Sequence, residues 1–241
     1  MLAVAALMAT AATGALVEIN NLILRADGGF KPQSLPRDRF APISFHGHID
    51  IAARDGGKPS PLRQALIDFD RDGRLSVAGL PSCPPQTIAG ASVEEARSSC
   101  RAAIVGRGEV RALVSVEGTL VPASSPLTIF NGPRLGGNPT AVLHARTTVP
   151  ATQVYAIVVP IERRRGGFRY RARIDLPPIA GGFGALTHLD VEIGRRYRAG
   201  GKSRSYVSAR CRDNVLQTHG RLSFEDGTVI DGLVEKFCHS K

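Results

Sequence analysis

The chain has 241 residues, of which 43% are hydrophobic and 22% charged, and a formal net charge of +10. That allows one large domain or two small ones with ample apolar content for a core. Aromatics at 5% and the absence of Trp weigh against single-stranded nucleic acid, which needs stacking platforms.

The first 17 residues carry no charge, and 2–8 form an apolar run. Small residues follow at Ala9-Thr10-Ala11 and Thr13-Gly14-Ala15, so 1–17 reads as a secretory signal peptide. No Lys or Arg precedes Arg25, so the basic segment of an intact signal is missing and the natural start is in doubt. The run stops at Glu18, short of the roughly 20 apolar residues of a spanning helix, and no transmembrane segment is expected. The expected location is secreted or extracytoplasmic.

Residues 18–42 read as an extended arm, with Pro32, Pro36 and Pro42 favouring open conformation. From 43 to 241 a single β-rich domain is expected, with 132–139 the boundary if it has two lobes. Apolar and polar residues alternate over 43–51, 110–117, 154–161, 168–174, 189–193, 206–211 and 222–224, the period of a strand with one buried face. Asp72-Gly73 and Asp226-Gly227 suit hairpin turns. The one helix expected spans 92–100, where Ser92 and Glu95 form a capping box. About a dozen strands with turns between them predict an all-β fold, an antiparallel β-sandwich or jelly roll.

Export would favour disulfides. Of the three possible pairings, Cys83 with Cys100 and Cys211 with Cys238 enclose short segments, and the other two cross more than a hundred residues. Zinc is disfavoured because no two cysteines stand two to four residues apart.

Between 161 and 212 stand 13 Lys or Arg against four Asp or Glu, nearly the whole positive excess. Arg169, Arg171 and Arg173 alternate with apolar residues and should form a guanidinium row on one strand face. Arg163, Arg164, Arg165, Arg195, Arg196, Arg198, Lys202 and Arg204 would extend that surface. Planar guanidinium groups favour phosphate and carboxylate. The partners that fit are anionic wall polymers, acidic polysaccharide or lipid headgroups; a merely solubilising face is the competing reading.

Other motifs imitate chemistry. Asp68, Asp70 and Asp72 with Gly73 resemble the start of a calcium loop, but its twelfth position is Gly79 instead of Glu, so strand, turn and strand is preferred. His46 and His48 share a strand face with Asp50 and read as solvent-facing, not as a metal site. The segment 200–203 ends like a phosphate loop without its leading Gly, and Gly106-Arg107-Gly108 lacks the third Gly of a dinucleotide fingerprint. Glu109, Glu117, Asp175, Asp190 and Glu192 all lie in strand-like segments, with nothing to select a catalytic pair. No catalytic residue, cofactor or metal is assigned.

Gly79-Leu80-Pro81-Ser82-Cys83, Ala103 to Gly108, Phe130-Asn131-Gly132 and Ala209-Arg210-Cys211, with Leu35-Pro36-Arg37 and Phe224 to Thr228, are similar to a group of uncharacterised secreted actinobacterial proteins. The resemblance covers nearly all the chain after residue 20 and implies export and a single β-rich unit, with no activity attached. The leading expectation is a non-catalytic, envelope-associated β domain that engages an anionic surface. The alternative is a secreted hydrolase of polysaccharide or ester substrates.

Overall fold

The computed structural model describes residues 14–240. Most of the expected signal peptide therefore lies outside the described residues. The strands are β1 (Ala15–Ile19), β2 (Leu22–Lys31), β3 (Ser34–Leu35), β4 (Ala41–Pro42), β5 (Ser44–Ala53), β6 (Leu62–Asp70), β7 (Gly73–Leu75), β8 (Ile104–Val116), β9 (Thr119–Leu135) and β10 (Asn138–Thr147). They continue as β11 (Gln153–Arg163), β12 (Phe168–Asp175), β13 (Gly184–Ile193), β14 (Arg196–Ala199), β15 (Lys202–Ser205), β16 (Val207–Ala209), β17 (Val215–Phe224), β18 (Val229–Phe237) and β19 (His239–Ser240). Two short helices, α1 (Pro85–Ile88) and α2 (Val93–Ser99), lie between β7 and β8.

The expected all-β class holds. Twelve strands form one antiparallel sheet in the order β1-β2-β5-β13-β8-β9-β10-β11-β12-β6-β17-β18. The sheet curls until its two ends meet: β18 contacts β1 and β2, Lys236 Nζ lies 2.7 Å from Asp27 Oδ1, and Asn20 Nδ2 donates to Thr228 Oγ1 at 3.2 Å. Phe45 on β5 and Phe69 on β6, seven places apart in the sheet, touch edge to face across the interior at 5.6 Å. The opposing walls that a sandwich builds from two sheets belong here to one.

Alternation decides which side chains enter. On β12, Tyr170, Ala172 and Ile174 point inward while Arg171 and Arg173 point outward. On β5, Phe45, Ile49 and Ile51 face in while His46, His48 and Asp50 face out. An outer wall carrying such charges is the reverse of the apolar lipid face of a membrane-spanning barrel.

One end of the barrel is crossed by a small sheet, β4-β16-β7, and by the β14–β15 hairpin. Cys211–Cys238 holds the small sheet to the end of β18. Against that bond pack Phe30, Leu35 and Ala209. The other end is filled by Leu22, Leu62, Leu222, Phe224 and Ile230. On the outer face of β9 and β10 the helices form a separate, filled layer. Ile88 and Ala96 cover Phe130 and Val142, and all four are fully buried. Cys83–Cys100 closes this layer, Arg97 Nε donates to Thr128 Oγ1 at 2.9 Å, and Asn131 Nδ2 donates to Pro81 O at 2.9 Å. The Ser92–Glu95 capping box is present.

Several sequence expectations are corrected. Residues 18–42 are not an arm: β1 and β2 pair along the sheet, and Leu22 and Leu24 are core residues. Only the stretch after Lys31 leaves the wall. Ala15, Leu16 and Val17, placed in the signal, begin β1, with Val17 packed on the core. The 132–139 segment is the β9–β10 hairpin within the sheet, so it divides no lobes; Gly136 and Gly137 take φ of 56° and 82° there. Asp72-Gly73 is no hairpin either, since β7 pairs with β16, whereas Asp226-Gly227 does turn β17 into β18. Helix α1, entered through Pro84-Pro85, went unforeseen.

Candidate functional site

Inside the curl the side chains do not fill the space. A cavity of about 330 Å³ lies between the small sheet at one end and the apolar plug at the other, within the range of small-molecule sites. Its wall is drawn from strands all round the sheet and is almost wholly apolar: Leu24, Ile49, Phe69, Leu143, Val159 and Leu189 are representative. Many of these inward residues, Ile67, Phe69, Leu143, Leu189 and Val191 among them, are only partly buried although they face the core. A packed interior would leave such side chains near zero exposure, because cores reach crystal-like density.

Among the described residues, strand β8 contributes none to the cavity lining. Its inward positions opposite Val191 and Ile193 are Gly108 and Gly106, which carry no side chain. A Cβ at Gly108 would collide with the carbonyl oxygen of Asp190, so β8 and β13 approach closely only because Gly is there.

Two phenols punctuate the apolar wall. Tyr170 and Tyr206 line the cavity, and burial pushes the Tyr206 hydroxyl well up from its ordinary value. It therefore stays protonated and offers a donor to a polar end of a guest. Asp27 and Asp70 are the carboxylates along the lining. Asp27 is held by Lys236, and Asp70 accepts from the backbone N–H of Asp72 at 2.7 Å and of Gln217 at 2.9 Å. Burial raises the Asp70 pKa against the pull of those bonds.

The cavity meets the surface where the sheet closes. Among the described residues β1 pairs with β2 as far as Ala26, and a second pocket of about 440 Å³ lies beside the remainder of β2. Asp27, Gly28, Gly29, Phe30 and Lys236 line both spaces, so the Asp27–Lys236 ion pair stands between interior and solvent.

The basic residues foreseen from sequence do not form one free row. A register shift at Arg169 interrupts β12, and the Arg169 guanidinium lies 5.2 Å from the Phe40 ring. Arg74 and Arg210 approach the same ring, a cation–π cluster with no sequence signal. Arg171 grips the buried Asp68 through two bonds of 2.8 and 2.6 Å. Burial acts to raise the Asp68 pKa, but the contacts with Arg171 and His219 together outweigh it and the net shift is downward. Arg173 donates to Asp175 at 2.9 Å, and Arg195 donates to the Ile104 carbonyl at 2.6 Å. Arg204 is half-buried, with its Nε lacking a partner among the described residues. Arg163 at the end of β11, Arg164 and Arg165 in the turn that follows, and Arg196, Arg198 and Lys202 on the β14–β15 hairpin, remain exposed. Strand direction places both groups at the end that carries the small sheet. Gly79, at φ 76°, lets the hairpin seat Ala199 against it.

The three acids of the calcium-like segment go separate ways: Asp68 to Arg171, Asp70 to backbone amides, and the fully buried Asp72 to Arg210 Nε at 2.7 Å. Strand and turn is the observed structure over 62–72. Of the carboxylates weighed for glycoside cleavage, Glu109 pairs with Arg111 and Asp175 with Arg173, both outside the barrel. Both cysteine pairings are as expected, with Sγ–Sγ distances of 1.98 and 1.97 Å. Among the described residues no helix is long and apolar enough to cross a membrane. The two disulfides are compatible with an extracytoplasmic protein. No protein-family model, curated protein or solved structure matches the chain.

Proposed function

We propose that this chain is an extracytoplasmic, non-catalytic binding protein that holds one apolar molecule, such as a single acyl chain, inside the curled sheet. The reading rests on one observation: an apolar interior left hollow, with large inward side chains only partly buried. Emptiness of this kind forfeits dispersion contacts, a cost that a guest removes. The phenols of Tyr170 and Tyr206 would meet the polar end of the guest, and the seam beside Asp27 and Lys236 would admit it. The test is titration of the full chain with a fluorescent single-chain fatty acid. Saturation at one molecule per chain is expected, with a rise in Tm as ligand exceeds Kd. Linear, unsaturable partition would overturn the proposal.

A second reading concerns the exposed cations at one barrel end, Arg163 to Arg165 with Arg196, Arg198 and Lys202. They would meet an anionic wall polymer, polysaccharide or lipid headgroup. Replacing Arg163, Arg164 and Arg165 with Glu should weaken co-sedimentation with phosphatidylglycerol vesicles and leave fatty-acid titration unchanged. Undiminished sedimentation would remove this reading and not the first.

A further inference from the structure

On the outer wall, β5 carries His48 and Asp50, and β13 carries His188 and Asp190, each pair two residues apart. The antiparallel register sets His188 opposite Asp50 and Asp190 opposite His48, so imidazoles and carboxylates alternate round a square on one face. Asp50 sits between the rings: Oδ2 lies 2.8 Å from His48 Nε2, and Oδ1 lies 2.8 Å from His188 Nδ1. The rings stand edge to face at 4.9 Å. One donor atom from each of His48, Asp50 and His188 falls within 4.8 Å of the others. His48 Nδ1, on the far side of its ring, lies 3.6 Å from Asp190 Oδ2.

We propose that His48, Asp50 and His188 form a surface site for a divalent transition ion of the zinc class. Two imidazole nitrogens and a carboxylate suit Zn²⁺, whereas Ca²⁺ and Mg²⁺ require shells of oxygen. His48 Nε2, His188 Nδ1 and one Asp50 oxygen are the three protein ligands, and water completes the shell. Asp190 is a positioning residue: its carboxylate, 3.6 Å from His48 Nδ1, moves in to accept a hydrogen bond from Nδ1–H and so fixes Nε2 as the ligating atom, as outer carboxylates do for metal-bound histidines. The ion replaces the two hydrogen bonds to Asp50: each neutral ring keeps its one proton on the nitrogen away from the ion, and any second proton leaves to water. His188 is the most enclosed of the four, with 17% of its side chain exposed, and Asp190 the most open at 58%, which leaves a path from solvent. Neighbouring charge is balanced: on β8, Arg111 faces His188 and is tied to Glu109 at 2.6 Å, and on β2, Arg25 and Asp27 flank Asp50 and His48. His46, the other member of the His-x-His pair, lies over Gly29 and takes no part. The site is independent of the cavity, although Ile49 and Leu189, which lie between its residues, face that cavity through the same wall.

The test is calorimetric titration of chelator-treated full chain with Zn²⁺ alone, and with Mg²⁺ and Ca²⁺. One equivalent of Zn²⁺ should bind and neither of the others compete. His48→Gln and His188→Gln should abolish the one-equivalent binding, Asp190→Asn should weaken it by roughly 10- to 100-fold, and His46→Gln should leave it unchanged. All four side chains lie on the outer wall, and far-ultraviolet circular dichroism should be that of the parent. Absence of Zn²⁺ binding, or one-equivalent binding that persists in the His48→Gln/His188→Gln double variant, would overturn the site.

Discussion

The two faces of β9 and β10 are apolar for different reasons. Outward, Phe130 and Val142 are fully buried beneath α1 and α2, with Cys83–Cys100 closing the layer. Inward, Leu143, on the same strand and next to Val142, is only partly buried and lines the void. The filled layer answers to stability, and under the proposed function the unfilled one keeps room for a guest. Exposure of an inward residue is thus a better pointer to function here than its hydrophobicity.

The largest contrast should come from truncation. Phe130→Ala should cost about 3–5 kcal/mol in urea unfolding, whereas Leu189→Ala, at a position already partly open, should cost under about 2 kcal/mol. Equal losses would mean that the interior is as tightly packed as the helical layer. Replacing Cys83 and Cys100 together with Ser should remove about 3 kcal/mol, the chain-entropy value for a loop of this size, and loosen the helices first. A hydrogen-exchange pattern in which β5 and β13 open before α2 would contradict that order. Enlarging adjacent residues sharpens the comparison further: Val142→Phe should cost about 1–3 kcal/mol through overpacking, and Leu143→Phe should be close to neutral.

The smallest effect is that of pH on the filled layer. His144 is fully buried there, its Nε2 3.2 Å from the Ala91 carbonyl oxygen. Burial holds its pKa below the ordinary 6.5, against the pull of the Ala91 and Ile88 carbonyls. The folded state then binds fewer protons than the unfolded one below pH 6.5, so this contribution is complete above 6.5 and falls away as pH drops through the folded value. His144→Gln should flatten the stability profile in that window; an unchanged profile would assign the loss to other groups.

Local pattern was readable from sequence. Alternation named Tyr170, Ala172 and Ile174 as inward and Arg171 and Arg173 as outward on β12 but failed at Phe168 and Arg169, where the register shifts, and Ser92 with Glu95 marked the start of α2. What alternation lacks is the partner strand. β5 pairs with β13 across more than a hundred residues, so nothing local could bring His188 to Asp50, and His188 carried no informative spacing. For the same reason the guanidinium row looked free: Asp68 meets Arg171 only because β6 lies beside β12. One signal was available and went unused. Leu127 to Phe130 is apolar at nearly every position, which a strand covered on both faces requires. Whether an apolar face closes on side chains or on space is a property of the curl, and no window of sequence reports it.

The most direct measurement is fatty-acid titration of Leu143→Trp beside the parent chain, with urea unfolding of both. Loss of the one-to-one binding at an unfolding midpoint equal to or above the parent's is expected, since the indole would occupy space that is otherwise empty. Parent-like saturable binding by the Trp variant, or a fall of several kcal/mol in its stability, would contradict a hollow interior that serves as the binding site.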